Sequence, residues 1–310
     1  MSAEIYLCFP TPPELQPLLD GPGIVHCGNG LPEGLDAATR ERVRIVVTNG
    51  IRGASAALMD CFPQLQLIAS LGIGVDSIDL PAAKARGIAV TNTPGVIADD
   101  VADLAIAQLI TLRRRSAEGE SYLRSGQWPQ GPFPLAHSAT GIALGIVGLG
   151  AIGKAIAERA TACRMVVRWH GPRPKPDAPW PYEADLHELA RQSTALVVAC
   201  SADTATRHLI GPSVLQALGP SGVLINVARG SVVDTQALVH ALQSGGIAGA
   251  ALDVYEQQPQ VPAELLSLPN VRLTPHLGTA TRETRGTMAQ MVMQSVAAYQ
   301  AGQPLLNRVV

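Results

Sequence analysis

The sequence is poor in the features that mark several classes of protein. It has only five cysteines in 310 residues, and their odd number and scattered spacing indicate neither a disulfide framework nor a metal site. Basic and acidic residues nearly balance, 23 against 25, which predicts no nucleic-acid-binding or membrane-binding surface. No apolar run approaches the roughly 18 residues that span a membrane, and no signal peptide is recognisable at the N-terminus. These absences predict a cytoplasmic protein that needs no metal.

Apolar residues, by contrast, are abundant and regularly arranged. They make up 47% of the chain, enough for a sizeable core and about two domains. Strand-like and helix-like segments alternate, which is typical of parallel sheets covered by helices. The predicted strands span 5–9, 43–48, 65–70, 88–91, 142–147, 165–170, 195–199, 222–226, 248–253 and 271–274. The pattern predicts an α/β protein of two Rossmann-like or flavodoxin-like domains.

A glycine motif, Gly148-Leu-Gly150-Ala151-Ile152-Gly153, lies between an apolar strand and a helical segment. In this context Gly148 permits a tight turn, Gly150 lets a pyrophosphate approach the backbone, and Gly153 allows the helix to pack closely on the strand. The helix that begins at Ala151 and Ile152 directs its first N–H groups and its positive dipole end toward the phosphates. The motif therefore predicts a dinucleotide-binding unit.

Two long helical patterns indicate how the domains are connected. One runs from 98 to about 125, and the other covers 283–301, long enough to return to the first domain. We predict a discontinuous substrate-binding domain, 1–97 plus 283–310, and an inserted dinucleotide-binding domain, 98–282. This connectivity predicts an active site in the interdomain cleft, with domain closure over it.

The residues after the second strand of the inserted domain predict which dinucleotide is bound. An NAD-binding unit usually carries an acidic residue about 20 positions past the glycines, where it bonds the ribose 2′-hydroxyl. Here Gly171, Arg173 and Lys175 follow the strand, without an acid. Because Arg173 can pair with a 2′-phosphate, we predict a preference for NADP(H), with NAD(H) also possible. The alternative is that both basic residues are solvated loop charges and selectivity is weak.

Three further strand ends carry candidate site residues. Arg229 lies where open α/β sheets bind ligands, and its guanidinium can fork onto a carboxylate. His276 can exchange a proton with a substrate oxygen near neutral pH. The backbone of Leu71-Gly-Ile-Gly74 can form a small anion nest. The competing interpretations are a solvated arginine, a core histidine and an ordinary turn.

In their order along the chain, these motifs resemble those of the D-2-hydroxyacid dehydrogenases, and most closely the NADP-dependent glyoxylate/hydroxypyruvate reductase branch. The matching stretches are 71–76, 92–96, 100–103, 148–153, 226–234, 249–259 and 275–285. The resemblance implies an enzyme that reduces a small 2-keto acid to a D-2-hydroxy acid. A hydride passes from the nicotinamide to the 2-keto carbon, and the resulting oxygen is protonated.

The same resemblance implies roles for individual residues on the substrate side. Arg229 would bind and polarise the keto acid, and His276 would donate the proton. Thr279 would lie near the substrate. The carboxylate would be held by the backbone of Leu71, Gly72, Ile73 and Gly74.

On the cofactor side, the resemblance implies that Val101 lines the nicotinamide pocket and that Asp253 faces the ring. The helix from Ala98 and the loop around Trp128 resemble the dimerisation elements of the family. A homodimer is therefore implied, in which Trp128 either packs at the interface or reaches the active site of the partner.

One position departs from the family pattern. The segment Asp253-Val-Tyr-Glu256-Gln-Gln258-Pro259 carries Gln258 where the family has its catalytic glutamate. That glutamate bonds the histidine and favours its charged form, whereas an amide orients the ring without supplying charge. We therefore predict a lower pKa for His276 than is usual in the family. Two alternatives are that Glu256 rotates into the role and that most activity has been lost.

A non-enzymatic alternative also fits the fold. A dinucleotide-sensing, corepressor-like protein would keep the glycine motif without turnover, because fold alone does not determine function. Arg229 and His276 argue against this alternative, and Gln258 argues for it. Formate and phosphonate dehydrogenases are further possibilities, although the chain lacks the length of their extra segments.

Overall fold

The computed structural model describes residues 4–20 and 24–310. The chain divides into two compact units, one of residues 1–97 and 280–310 and the other of residues 98–279. Each unit contains one parallel β-sheet, so the predicted fold class is confirmed. The assignment of substrate to the first unit and of dinucleotide to the second stays a prediction. Among the described residues, no helix combines the length and apolar character needed to cross a membrane.

The first unit has a five-stranded sheet in the order β2-β1-β3-β4-β5. Its strands are β1 (Glu4–Leu7), β2 (Val25–Cys27), β3 (Val43–Asn49), β4 (Leu67–Leu71) and β5 (Ala89–Thr91). Its helices are α1 (Gln16–Leu19), α2 (Ala37–Arg42), α3 (Ala56–Asp60), α4 (Leu80–Ala85) and the C-terminal α12 (Arg282–Gln300). Strands β3 and β4 are nearly continuous apolar runs because helices cover both faces of a parallel sheet. The short edge strand β2 is only half-buried, and the sequence pattern missed it.

The C-terminal helix α12 belongs to the first unit because one face of it is apolar. Met288, Val292 and Val296 are buried at intervals of four residues, which places them on one side of the helix. This side packs against β4, and Tyr299 donates a hydrogen bond to Gln66 from the last turn. The helix predicted over 283–301 agrees with the observed α12, Arg282–Gln300, to within one residue at each end.

The second unit has a six-stranded sheet in the order β11-β10-β9-β8-β6-β7. Its strands are β6 (Ala143–Val147), β7 (Val166–His170), β8 (Ala195–Val198), β9 (Val223–Asn226), β10 (Gly249–Leu252) and β11 (Val271–Leu273). Its helices are α5 (Ala98–Arg114), α6 (Ser116–Arg124), α7 (Ala151–Ala162), α8 (Leu186–Arg191), α9 (Pro212–Leu218), α10 (Thr235–Gln243) and α11 (Ala263–Ser267). Strand β7 lies on one side of β6 in the sheet, and β8, the next strand along the chain, lies on the other side of β6. The strand order therefore reverses at β6, where doubly wound folds bind their ligands.

The long helix predicted from 98 to about 125 is wrong in one respect, because it is two helices. Arg115 adopts a left-handed conformation, with φ of 51°, and this interrupts the helical hydrogen bonding between α5 and α6. Helix α5 buries apolar residues against α7, whereas α6 buries none of its own. Between Leu112 and Tyr122 the one apolar side chain is Ala117, so the apolar spacing of α5 ends just before the break.

Candidate active site

The glycine motif forms a tight turn between β6 and α7. The Gly148 N–H donates to His170 O at 2.8 Å, and its φ of 95° favours glycine. A Cβ on Gly148 would lie 2.6 Å from the backbone nitrogen of Cys200, and one on Gly153 would lie 2.0 Å from the Gly148 oxygen. Protein packing alone thus requires glycine at these two positions.

Gly150 differs from the other two glycines because no protein atom requires it. A Cβ at this position would have no atom within 4 Å, so the α-carbon faces open space. No side chain caps the N-terminus of α7, and its first N–H groups are available to an anion. The turn therefore fits a pyrophosphate, as the motif predicts.

The end of β7 carries positive charge close to this turn. Lys175 donates a hydrogen bond from Nζ to the main-chain oxygen of Leu149, within the glycine motif, at 2.5 Å. Arg173 is exposed on the same loop, and Gly171 is buried at the strand end. Lys175 is thus anchored at the motif, whereas Arg173 is a solvated side chain in this structure.

The loop after β9 presents Arg229 on a rigid turn. The side chain of Asn226, which is buried, accepts a hydrogen bond from Ala228 N at 3.0 Å and donates one to Arg229 O at 3.0 Å. The guanidinium of Arg229 donates from Nη1 to Ala228 O at 2.8 Å. The side chain of Asn226, the last residue of β9, thus closes the turn. Strand β9 therefore determines the position of the Arg229 backbone.

His276 lies on a loop organised by the buried carboxylate of Asp253. One carboxylate oxygen accepts hydrogen bonds from Thr274 Oγ1 at 2.6 Å and Leu277 N at 2.7 Å, and the other accepts one from Gly278 N at 2.9 Å. The main-chain oxygen of Asp253 accepts from His276 N at 3.0 Å. These contacts hold His276 in a left-handed conformation, with φ of 56°, which is uncommon for residues other than glycine and is often associated with functional sites.

Helix α5 supports the same loop through two side chains. Val101 was expected to line the nicotinamide pocket, whereas no role was predicted for Gln108. Gln108 is buried and donates from Nε2 to Thr274 Oγ1 at 2.7 Å, which extends the network to Asp253. A Cβ on Gly278 would lie 3.2 Å from Val101 Cγ2, so Val101 packs beside the loop. A glutamine on the apolar face of a helix is the signal that could have identified Gln108.

Gln258 is the side chain beside Nδ1 of His276. Its Nε2 lies 3.1 Å from that nitrogen. With Nε2 as donor, Nδ1 is an acceptor and the neutral imidazole carries its proton on Nε2 of the ring. Among the hydrogen bonds of the described chain, none engages the buried Oε1 of Gln258. Turning the amide would present this oxygen to a protonated Nδ1, so Gln258 can serve both charge states of the histidine.

Glu256 has a different set of partners. Its Oε1 accepts from Thr235 N at 3.1 Å and Thr235 Oγ1 at 2.6 Å, and its Oε2 lies 3.1 Å from His208 Nε2. Burial raises the pKa of Glu256, but the hydrogen bonds from Thr235 and His208 outweigh burial and hold the pKa below its ordinary value. In this structure Glu256 is therefore engaged at the start of α10 and does not replace Gln258 at Nδ1.

The predicted anion nest lies in the first unit, after β4. Gly72 O accepts from Thr93 N at 3.0 Å, and Ile73 O accepts from Asn92 Nδ2 at 2.9 Å. Within residues 4–20 and 24–310, the N–H groups of Ile73 and Gly74 donate no hydrogen bond. The backbone at Leu71–Gly74 is thus held by its carbonyl groups and leaves two donors for an anion.

The second unit accordingly groups Val101, Asp253, Gln258 and His276 around one loop. Thr279 follows this loop directly and is partly exposed. The roles predicted for these residues, including the orientation of Asp253 toward a nicotinamide, stay predictions.

Comparison with known proteins identifies relatives over most of the chain. Residues 106–278 match the sequence model of the family described as D-isomer specific 2-hydroxyacid dehydrogenase, NAD binding domain. The chain is 46% identical over 271 residues to glyoxylate/hydroxypyruvate reductase A HPR2 of Arabidopsis thaliana, with 87% of each chain covered. It is 44% identical over 274 residues to hydroxyphenylpyruvate reductase of Plectranthus scutellarioides, with 88% of each covered.

A solved structure gives the same assignment. The fold matches an NADPH-dependent glyoxylate/hydroxypyruvate reductase of Sinorhizobium meliloti, in complex with NADP and malonate, with a TM-score of 0.94 and 38% sequence identity. The match covers 100% of this chain and 97% of that one.

Proposed function

Because this chain belongs to the D-isomer specific 2-hydroxyacid dehydrogenase family, we propose that it reduces a small 2-keto acid, such as glyoxylate or hydroxypyruvate, with NADPH. The observation that carries this proposal is the loop of His276, which Asp253 holds in an uncommon backbone conformation while Gln258 contacts Nδ1. Such an arrangement gives a residue that can exchange protons near neutral pH a fixed backbone and a side-chain neighbour at Nδ1, as a general acid requires.

In the proposed reaction, each site residue acts on one part of the keto acid. The N–H groups of Ile73 and Gly74 bind its carboxylate. When bound, the nicotinamide cofactor supplies a hydride to C2, and negative charge develops on the keto oxygen. Arg229 stabilises that charge with its guanidinium N–H groups, and His276 donates the proton from Nε2. The product is the D-2-hydroxy acid.

The direct test is oxidation of NADPH and NADH by the purified protein with glyoxylate and hydroxypyruvate across a range of pH. Turnover, faster with NADPH at equal concentration, is the expected result. Tight NADPH binding without turnover of any small 2-keto acid would favour the sensor alternative, in which the fold is kept and the chemistry lost.

We expect Arg173→Ala to raise the KM for NADPH by roughly 10- to 100-fold while changing that for NADH little. Only NADPH has the 2′-phosphate that Arg173, together with Lys175, is proposed to contact. A charge-assisted hydrogen bond of this kind contributes about 1.5–3 kcal/mol. Steady-state kinetics with both cofactors measure the change. The matched control is Arg168→Ala, an exposed arginine within β7. An equal rise in both KM values would contradict the proposed contact.

We expect Gln258→Glu to extend reductase activity to higher pH. A carboxylate beside Nδ1 stabilises the imidazolium and raises its pKa, by about 1–3 units for a close opposite charge. Reduction needs protonated His276, so the fall in kcat on the alkaline side should move upward by about one unit or more. The control is Gln257→Glu, which adds the same charge at an exposed neighbour. If kcat of the Gln258→Glu variant fell at the same alkaline pH as that of the parent, the proposed contact of residue 258 with the proton donor His276 would be refuted.

We also propose that the protein is a homodimer that works in the cytoplasm. Support for the dimer comes from α6, which buries no residue in its own chain, and from the exposed side chains of Leu123 and Trp128. Light scattering on the purified protein tests the oligomeric state.

A further inference from the structure

The segment that carries Gln258 is attached to both neighbouring site loops. Tyr255 donates from its hydroxyl to Thr274 O at 2.8 Å, two residues before His276. Gly230, which follows Arg229, packs so closely that a Cβ there would lie 2.2 Å from Glu256 N. The backbone at Tyr255 and Glu256 therefore lies between the loops of Arg229 and His276.

Glu256 joins this segment to a third element, the first turn of α10. Thr235 is the first residue of that helix, and it donates to Glu256 Oε1 from both its backbone nitrogen and its hydroxyl. A carboxylate at a helix N-terminus is also favoured by the helix dipole. His208 contacts the second oxygen and lies 3.9 Å from Asp234 Oδ2 through Nδ1. The carboxylate thus has three hydrogen-bonding contacts, and its position is tightly determined.

The side chain of Gln258, two residues further along, makes fewer hydrogen bonds than that of Glu256. Among the described residues its amide makes one hydrogen bond, with His276 Nδ1, and its buried Oε1 has no hydrogen-bond partner. The direction of the amide therefore depends on the backbone that carries it. A displacement of that backbone by 1 Å would break a hydrogen bond of 3.1 Å.

We propose that Glu256 is a positioning residue for the reaction: by anchoring its segment to α10, it holds the amide of Gln258 against Nδ1 of His276. This inference rests on the proposed function, in which His276 is the proton donor. Glu256 acts only through Gln258. Its loss should therefore have the same consequence as the loss of Gln258, and the two losses should not add.

The test is a double-mutant cycle of Glu256→Ala and Gln258→Ala, read as kcat for glyoxylate with NADPH. We expect each single variant to lower kcat by roughly 5- to 10-fold with little change in the KM for NADPH. In the Gln258→Ala background, Glu256→Ala should change kcat by less than about 2-fold, since residues that act through one contact are not additive. An equal loss in both backgrounds would show a structural role and overturn the proposal.

A conservative variant separates anchoring from charge. Glu256→Gln keeps an oxygen that can accept from Thr235, and we expect its kcat to remain within about 2-fold of the parent value. If Glu256→Gln is as impaired as Glu256→Ala, the charge matters and the anchor does not, and the proposal is wrong. Gln257→Ala, at the exposed neighbour, serves as the matched control. Should Glu256→Ala fail to fold, Thr235→Val removes the hydroxyl donor and leaves the carboxylate in place.

A readout without turnover keeps this proposal distinct from the proposed function. The imidazole of His276 can be titrated by NMR, with its signal identified by its loss in His276→Asn. We expect Glu256→Ala and Gln258→Ala to move the titration midpoint in the same direction, and the double variant to move it no further. Additive shifts would overturn the positioning role even if the parent protein reduced no keto acid.

Discussion

Replacing His276 with asparagine is expected to lower kcat for keto-acid reduction by roughly 10²- to 10⁴-fold, the usual contribution of a general acid. Asparagine cannot deliver a proton, but it tolerates the left-handed backbone better than most residues. The φ of 56° at this position can therefore persist, and the loss reports on proton donation. Steady-state assays measure kcat, and NADPH fluorescence checks that cofactor binding is retained.

The control for this variant is His240→Asn, which makes the same exchange on the exposed side of α10. It should leave kcat within about 2-fold of the parent, as expected for a surface substitution. If His276→Asn kept more than a tenth of the activity, the proton would have to come from another group. The site would then need a different assignment.

Replacing Arg229 with lysine is expected to lower kcat/KM for glyoxylate by roughly 10²- to 10³-fold, about the cost of losing one donor to a developing oxyanion. Lysine keeps the positive charge, but it has neither the planar fork nor the two parallel N–H groups of arginine. Because Asn226 and Ala228 fix the arginine turn, the shorter reach of lysine cannot be recovered by movement of the loop. The measurement is kcat/KM for the keto acid at saturating NADPH.

Arg191→Lys is the matched control, since Arg191 pairs with Glu188 on the exposed surface of the same unit. Its kinetic constants should not change. If Arg229→Lys weakened NADPH binding as much as it weakened catalysis with glyoxylate, Arg229 would be a cofactor contact or a structural residue. The proposed polarisation of the keto oxygen would then be ruled out.

The glycine turn could be predicted because its parts are close in sequence. An apolar strand, three spaced glycines and a helix fall within a dozen residues, so local geometry alone indicates the turn. Which atoms surround each glycine could be learned only from the tertiary structure. Gly148 is confined by Cys200 in the loop after β8, whereas Gly150 faces open space. The motif predicted different roles for these two positions, and the structure adds the neighbouring atoms that require glycine at one of them.

The environment of His276, by contrast, is built from residues that are far apart in sequence and could not be predicted from it. The substitution at Gln258 is visible in the sequence through the family pattern, but what its amide contacts is not. Asp253 and His276 are far enough apart that only the pairing of β10 with β11 brings their loops together. Gln108 bonds Thr274 across 166 positions of the chain, and no local pattern could have predicted that contact.

Local patterns in the chain were enough to predict the elements and the family: alternating apolar segments indicated two parallel sheets, and the ordered motifs indicated the relatives. These features depend on neighbouring residues, whose periodicity is read directly from the chain. Only the folded chain shows that Glu256 binds the start of α10 and that Gln258 contacts Nδ1 of His276. Both contacts depend on packing between segments distant in sequence, where a shift of about 1 Å determines which hydrogen bonds form.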